Sequence, residues 1–169
     1  MIEMRVMGIA LDTRSGSPIV VLNDFENRIA LPIWIGSAEA SSIIRKIENI
    51  KSARPMTHDL FIDLIEKTGH RLDRIEINDV SEQTYFAAII LADKEGNLKE
   101  VDARPSDAIA IAIRGDVPIF VAESVMSDGA ISTNSEKEEK ETVEFKEFIK
   151  DIKPSDFEKL INKNFESDQ

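Results

Sequence analysis

Two aspartates and an arginine lie close together in the second half of the chain. Asp102 ends a predicted strand and Asp107 begins the next predicted helix, so both carboxylates can converge on one edge of a sheet. Oxygen ligands of this kind suit Mg²⁺ or Mn²⁺. Arg104 lies between them, where a guanidinium near a helix start would suit a phosphate. The alternative is a purely structural Arg–Asp pair.

A second polar cluster, Thr57-His58-Asp59, begins another predicted helix. A histidine beside a carboxylate could act as a general base or a metal ligand. The simpler interpretation, which we favour from the sequence, is that Asp59 complements the helix dipole and His58 faces water. Glu39 lies in the first turn of an earlier helix, where a surface role is the commoner one.

The helix-start pattern repeats along the chain. Ala-Arg-Pro occurs at residues 53–55 and 103–105, and Pro-Ser-Asp occurs at residues 105–107 and 154–156. Proline is pre-shaped for the first helical position, and an acidic residue in the first turn complements the helix dipole. The pattern therefore indicates a helix start first, and a structural role for Asp107 stands beside a catalytic one. Trp34 could stack on a base, but a half-buried core aromatic is the commoner role.

The elements that would position these residues alternate between strand and helix patterns. Period-two alternation or apolar runs predict strands within residues 4–11, 18–22, 28–35, 72–80, 85–92, 98–103 and 119–121. Helical spacing predicts helices that begin near residues 37, 57 and 106, the second with a buried stripe of Leu60, Phe61, Leu64 and Ile65. The third is apolar nearly all round and should be central.

The predicted architecture is α+β, with a mixed or mainly antiparallel sheet, three core helices and two short C-terminal amphipathic helices. Composition changes near residue 132, which predicts a domain over residues 1–131, a charged linker over 132–142 and a helical tail over 143–169.

Composition limits the chemistry. The chain has 169 residues and no cysteine, which excludes disulfides, thiolate metal sites and cysteine nucleophiles. Its net charge of −11 argues against a sequence-independent grip on nucleic acid, because that grip rests on Lys and Arg neutralising phosphates. No signal-peptide pattern and no apolar run of membrane-spanning length are present, so we expect a cytoplasmic protein that does not bind membranes.

Three ordered motifs resemble those of the bifunctional nuclease domain family. They are residues 31–36 (LPIWIG) followed by Glu39-Ala40, residues 54–60 (RPMTHDL) and residues 102–110 (DARPSDAIA). The resemblance covers about residues 1–130. It implies an α+β domain that associates with copies of itself and hydrolyses both DNA and RNA. The matching polar positions are Glu39, Arg54, Thr57, His58, Asp59, Asp102, Arg104, Ser106 and Asp107.

Two functions follow from these observations. The first is metal-assisted hydrolysis of phosphodiester bonds, with Mg²⁺ or Mn²⁺ held by carboxylates drawn from Glu39, Asp59, Asp102 and Asp107. The catalytic residues would be His58, which handles protons, Arg54 or Arg104, which steadies the phosphate, and Ser106. The second is a non-catalytic oligomeric binding or scaffold module. Convergence of the carboxylates in a cleft would favour the first, and their dispersal over the surface the second.

Overall fold

The computed structural model describes residues 1–133. Its strands are β1 (Ile2–Leu11), β2 (Pro18–Asp24), β3 (Ile29–Trp34), β4 (Arg71–Ser81), β5 (Thr84–Ala92), β6 (Leu98–Ala103), β7 (Ile119–Val121) and β8 (Ile131–Ser132). Its helices are α1 (Ser37–Ile47), α2 (Thr57–Lys67), α3 (Pro105–Gly115) and α4 (Glu123–Gly129). None of these helices has the length and apolarity needed to cross a membrane.

All eight strands form one mixed sheet in the order β6-β5-β4-β7-β1-β2-β3-β8. Neighbouring strands are antiparallel except β4 and β7, which run parallel. Strand β7 comes late in the chain and pairs with both β4 and β1, so it joins the two halves of the sheet. The predicted α+β class and mixed sheet are confirmed. The predicted linker and C-terminal helices concern residues that lie almost wholly outside the described part of the chain.

Helix α3 is the centre of the fold. Seven of its residues are buried, and it packs against α1, α2, β4 and β5. Ala108, Ala110 and Ala112 are small enough to let neighbouring elements approach closely, while Ile109 and Ile111 fill the space between them. The sequence predicted a central position for this helix because it is apolar on nearly all sides, and that prediction is confirmed.

The predicted buried stripe of α2 is wrong. Leu60, Phe61 and Leu64 are each about half exposed, and the buried residue of this helix is His58. The reason is that α2 turns its His58 side toward α3, where the polar partners of that histidine lie, and Ile62 follows it against the core. The apolar face that the spacing identified points away from the core.

Candidate active site

The first turns of three helices meet at one pocket. Glu39 lies in the first turn of α1, His58 in that of α2 and Asp107 in that of α3. The N-cap residue of each helix has an extended backbone. The preceding chain therefore does not continue the helix axis, and the first turn can contact neighbouring elements. The pocket has a volume of about 280 Å³. Its polar lining includes Glu39, Ser42, Arg45, His58, Asp107 and Arg114.

Arg104 bridges two carboxylates. Its Nη2 nitrogen lies 2.8 Å from Glu39 Oε1 and 2.7 Å from Asp107 Oδ2, and its Nε donates to the same Asp107 oxygen at 2.7 Å. The bonds to Asp107, and then those to Glu39, raise the pKa of Arg104 above its usual value, so the guanidinium is charged. Its side chain is 66% exposed, against 16% for Glu39 and 28% for Asp107. The carboxylates of Glu39 and Asp107 are therefore largely buried, and the Arg104 guanidinium covers them at the protein surface.

Gly36 allows this position of Glu39. A Cβ atom at Gly36 would collide with Oε2 of Glu39, because the glutamate folds back over the residue that precedes its helix. A side chain at residue 36 would therefore displace the Glu39 carboxylate from this position.

His58 lies between Asp107 and a serine that sequence reasoning missed. Its Nε2 is 3.0 Å from Asp107 Oδ1, and its Nδ1 is 2.7 Å from Ser42 Oγ. An ionised carboxylate can only accept, so the neutral ring carries its proton on Nε2 and accepts the Ser42 hydroxyl proton at Nδ1. The expectation that His58 faces water is wrong, since its side chain is only 11% exposed. A signal for Ser42 existed: it lies three residues after Glu39, on the same face of α1.

Arg114 ties the three helices together beside the pocket. Its Nε donates to Asp59 Oδ1 at 2.7 Å, its Nη2 to the Ser42 carbonyl at 3.1 Å and its Nη1 to the Ala110 carbonyl at 2.9 Å. The other Asp59 oxygen accepts the Met56 N–H at 2.9 Å, which caps α2. The hydrogen bond from Arg114 lowers the pKa of Asp59, and the Met56 bond adds to this against the opposing effect of burial. In this arrangement Asp59 holds the helices in place.

We expect Asp59→Asn to lower the melting temperature at pH 7 by about 4 °C, which corresponds to about 1 kcal/mol for a half-exposed pair. Because the folded-state pKa of Asp59 is depressed, its stabilisation is present above about pH 4 and is lost as pH falls through that depressed value. Melting curves from pH 7 to pH 3 should therefore show the variant and the wild type converging. Asp63→Asn, on an exposed position of α2, is the control and should match the wild type throughout. A constant difference at all pH values would contradict this role.

The remaining predicted site residues lie apart from this cluster. Asp102 is exposed on β6 opposite Ala88, and Arg54 is exposed before α2. Neither forms an ion pair within residues 1–133. Ser106 is buried and lines a neighbouring pocket that also includes Arg104. The structure thus brings Glu39, His58, Arg104 and Asp107 together, with Asp59 joined to the pocket through Arg114.

Positive charge is concentrated around the pocket although the chain is acidic. Arg45 and Arg114 also line an adjoining pocket of about 300 Å³, to which Lys46 and Lys51 contribute. The Nε atom of Arg45 is buried and has no hydrogen-bond partner among the described residues. That atom is not accessible from the pocket, so it is the cationic lining of the two pockets that favours an anionic ligand.

These residues could hold a divalent cation only if ligands from outside the protein completed its coordination shell. Within residues 1–133, no three His, Asp or Glu side chains are placed to share a metal. However, one nitrogen of Arg104 lies within 2.8 Å of both Glu39 and Asp107, so a positive charge already occupies the space between two carboxylates. Mg²⁺ is commonly held by one or two carboxylates, with substrate phosphates and water completing its shell. These two carboxylates suit that kind of site if Arg104 moves to a phosphate.

The fold and the pocket define an α+β domain on a mixed eight-stranded sheet, with a polar site where three helices begin. The sequence profile of the bifunctional nuclease domain matches residues 20–134. The chain belongs to the bifunctional nuclease domain family, as the three motifs predicted.

Relatives in this family span bacteria and plants. An uncharacterised protein of Mycobacterium tuberculosis (strain ATCC 25618 / H37Rv) is 38% identical over 163 residues, which cover 92% of this chain and 97% of the relative. Bifunctional nuclease 2 of Arabidopsis thaliana is 31% identical over 130 residues, covering 75% of this chain and 39% of the relative. Bifunctional nuclease 2 of Oryza sativa subsp. japonica is 32% identical over 116 residues, covering 66% and 36%. This chain therefore corresponds to well under half of each plant protein.

Proposed function

We propose that this protein hydrolyses phosphodiester bonds of DNA and RNA at the pocket formed by the starts of α1, α2 and α3. The observation that carries the proposal is the continuous series of polar contacts Ser42–His58–Asp107–Arg104–Glu39. Three separate helices contribute to it, and it combines a proton-transfer group with a surface guanidinium. The similarity to plant proteins named bifunctional nucleases supports a nuclease.

Arg104 is the group that would bind the scissile phosphate. Its guanidinium is charged and largely exposed, and its planar fork matches two phosphate oxygens. Arg45 and Arg114 add further positive charge to the lining of the same pocket. A phosphate bound here would accept from Arg104 the charge-assisted hydrogen bonds that the Glu39 and Asp107 carboxylates accept in its absence.

His58 and Ser42 provide the route by which a proton leaves an attacking water. The water passes its proton to Ser42 Oγ while the serine hydroxyl passes its own to His58 Nδ1. Asp107 accepts the Nε2–H bond throughout and stabilises the imidazolium that forms. The folded chain already makes two hydrogen bonds of this route, Ser42–His58 and His58–Asp107.

Glu39 and Asp107 would hold Mg²⁺ or Mn²⁺ once Arg104 has moved to the phosphate. The ion would neutralise charge that develops on the phosphate oxygens. Asp102 lies outside this pair, so its predicted role as a ligand is the least supported of the four carboxylates.

We expect purified protein to degrade single-stranded DNA and RNA in the presence of Mg²⁺ or Mn²⁺, and to stop when a chelator is added. His58→Gln should lower the rate by about 10²- to 10⁴-fold, because it removes the proton acceptor of Ser42. Loss of fluorescently labelled oligonucleotide, followed by gel electrophoresis, measures both effects.

Asp63→Asn, purified in parallel, is the matched control and should retain the wild-type rate. Equal rates in the wild type and in His58→Gln would indicate a contaminating nuclease and overturn the proposal. Activity that survives the chelator would overturn the role of the cation but leave His58 in place.

The second candidate is a non-catalytic module that assembles with copies of itself. Its supporting observation is the exposed apolar face of α2, which includes Leu60, Phe61 and Leu64. Absence of hydrolysis in every correctly folded preparation would favour this function. Both candidates are compatible with the cytoplasmic location that the sequence predicts.

A further inference from the structure

A second, larger pocket shares Arg104 with the proposed reacting centre. Its volume is about 400 Å³, within the range of about 300–1,000 Å³ that is typical of small-molecule sites. Arg104 lines both pockets. The other residues that matter here are Ser17, Trp34, Gln83, Thr84, Tyr85 and Ser106.

Trp34 presents an exposed aromatic ring to this pocket. It is the last residue of β3, and 56% of its surface is exposed, so the core role considered from the sequence is wrong. Its indole N–H donates to Asp12 Oδ2 at 3.3 Å. Asp12 is itself fixed by the Arg14 N–H at 3.0 Å and the Ser15 hydroxyl at 2.9 Å. These hydrogen bonds hold one edge of the indole ring against a turn. The orientation of the ring is therefore fixed although core residues do not surround it.

Hydrogen-bonding groups of the turn between β4 and β5 also line this pocket. Gln83 belongs to the two-residue turn between β4 and β5, in which both Glu82 and Gln83 have positive φ, 48° and 62°. That conformation is uncommon for residues other than glycine, and it is typical of tight hairpins whose position is well defined. Thr84 follows directly. The pocket therefore combines an aromatic ring, amide and hydroxyl groups and a guanidinium at its rim.

We infer that this pocket binds one unstacked nucleobase on Trp34 while Arg104 holds the adjacent phosphate, so that the substrate is single-stranded. The inference rests on the proposed function for the position of the phosphate. A base has two flat faces and a polar edge, and base–aromatic stacking tolerates any sequence. A base paired within a duplex is stacked between its neighbours and cannot enter. Gln83 and Thr84 supply groups suited to the polar edge.

Trp34 is the chain's single tryptophan, so its fluorescence reports this pocket directly. The experiment titrates the His58→Gln variant, which should consume the probe at least about 100-fold more slowly than the wild type, with an oligothymidylate of about eight nucleotides. We expect saturable quenching. A duplex of the same length should neither quench nor compete.

Anisotropy of a labelled oligothymidylate supplies a second readout that does not need the tryptophan. Trp34→Ala in the same background should weaken binding by about 5- to 150-fold, the range that loss of one stacked base predicts. Trp34→Phe should restore part of the affinity. Phe25→Ala, which removes another exposed aromatic ring outside the pocket, is the matched control and should bind normally.

The possible failures are distinguishable. Unchanged binding in Trp34→Ala, equal competition by duplex, or no binding of the oligothymidylate would overturn the inference. Hydrolysis by the wild type without quenching would leave the nuclease proposal standing and remove only the base pocket. Quenching without hydrolysis would support the pocket and overturn the reaction.

Discussion

Replacing Asp107 with asparagine is expected to lower the proposed nuclease activity by at least about 100-fold while the protein keeps its fold. The two carboxylate oxygens of Asp107 accept hydrogen bonds from different donors. Oδ1 accepts from the His58 ring, and Oδ2 accepts from the Arg104 guanidinium. An asparagine has the same shape but only one accepting oxygen, so its NH₂ group must face one of those donors.

Either orientation of that amide disables a proposed function. If the NH₂ faces His58, the ring must accept at Nε2 and carry its proton on Nδ1, and it can no longer accept the Ser42 proton. If the NH₂ faces Arg104, the guanidinium loses a charge-assisted bond and is displaced. The substitution also removes one of the two carboxylates proposed to hold the cation.

Initial rates on labelled single-stranded DNA and RNA, measured across pH, test this expectation. A role through His58 predicts that the remaining activity has a changed pH profile, which a purely structural role of Asp107 would not produce. Circular dichroism should show unchanged secondary structure. Asp63→Asn makes the same change of atoms and charge on an exposed part of α2 and should behave as the wild type. Activity within about threefold of the wild type in Asp107→Asn would exclude the proposed assignment.

The largest effect on stability is expected at Ile109. This side chain is fully buried in α3, the helix on which α1, α2 and the sheet all pack. Truncation to alanine removes transfer free energy and leaves a cavity, so Ile109→Ala should lower the free energy of unfolding by about 2–5 kcal/mol. That is a large fraction of the about 5–15 kcal/mol that typically stabilises a folded protein.

Urea denaturation monitored by circular dichroism measures this loss. Ile47→Ala, at the exposed end of α1, makes the same truncation and should change stability by no more than about 0.5 kcal/mol. A loss below about 1 kcal/mol at Ile109 would show that the packing around α3 relaxes to fill the cavity. A similar loss at both positions would contradict the central role of α3.

Much of the fold was predictable because local signals agree with the final packing. The apolar circumference of α3 identified a central helix, and proline and acidic residues marked the starts of the second and third helices. The spacing in α2 was misleading, since Leu60, Phe61 and Leu64 form a regular apolar face that does not pack on the core. Helical periodicity identifies an apolar face but cannot show which face meets a neighbour when polar partners such as Asp107 determine the packing.

Most residues of the site could be predicted from the sequence, but the contacts between them could not. Three motifs identified His58, Arg104 and Asp107, yet the sequence could not show that Asp59 pairs with Arg114, 55 positions away. Ser42 was missed because its position three residues after Glu39 on α1 does not by itself indicate a function. Its role depends on the position of His58, which is fixed only when α1 and α2 both pack on α3.

The three residues of β7 have a consequence for how the chain is made. This strand alone connects β4 to β1, and hence the hairpins of the amino-terminal third to those of the middle third. A ribosome releases those two groups of hairpins well before residues 119–121 emerge. The two groups of hairpins therefore cannot pair into one sheet during synthesis until β7 is available, and completion of the sheet must wait for that moment.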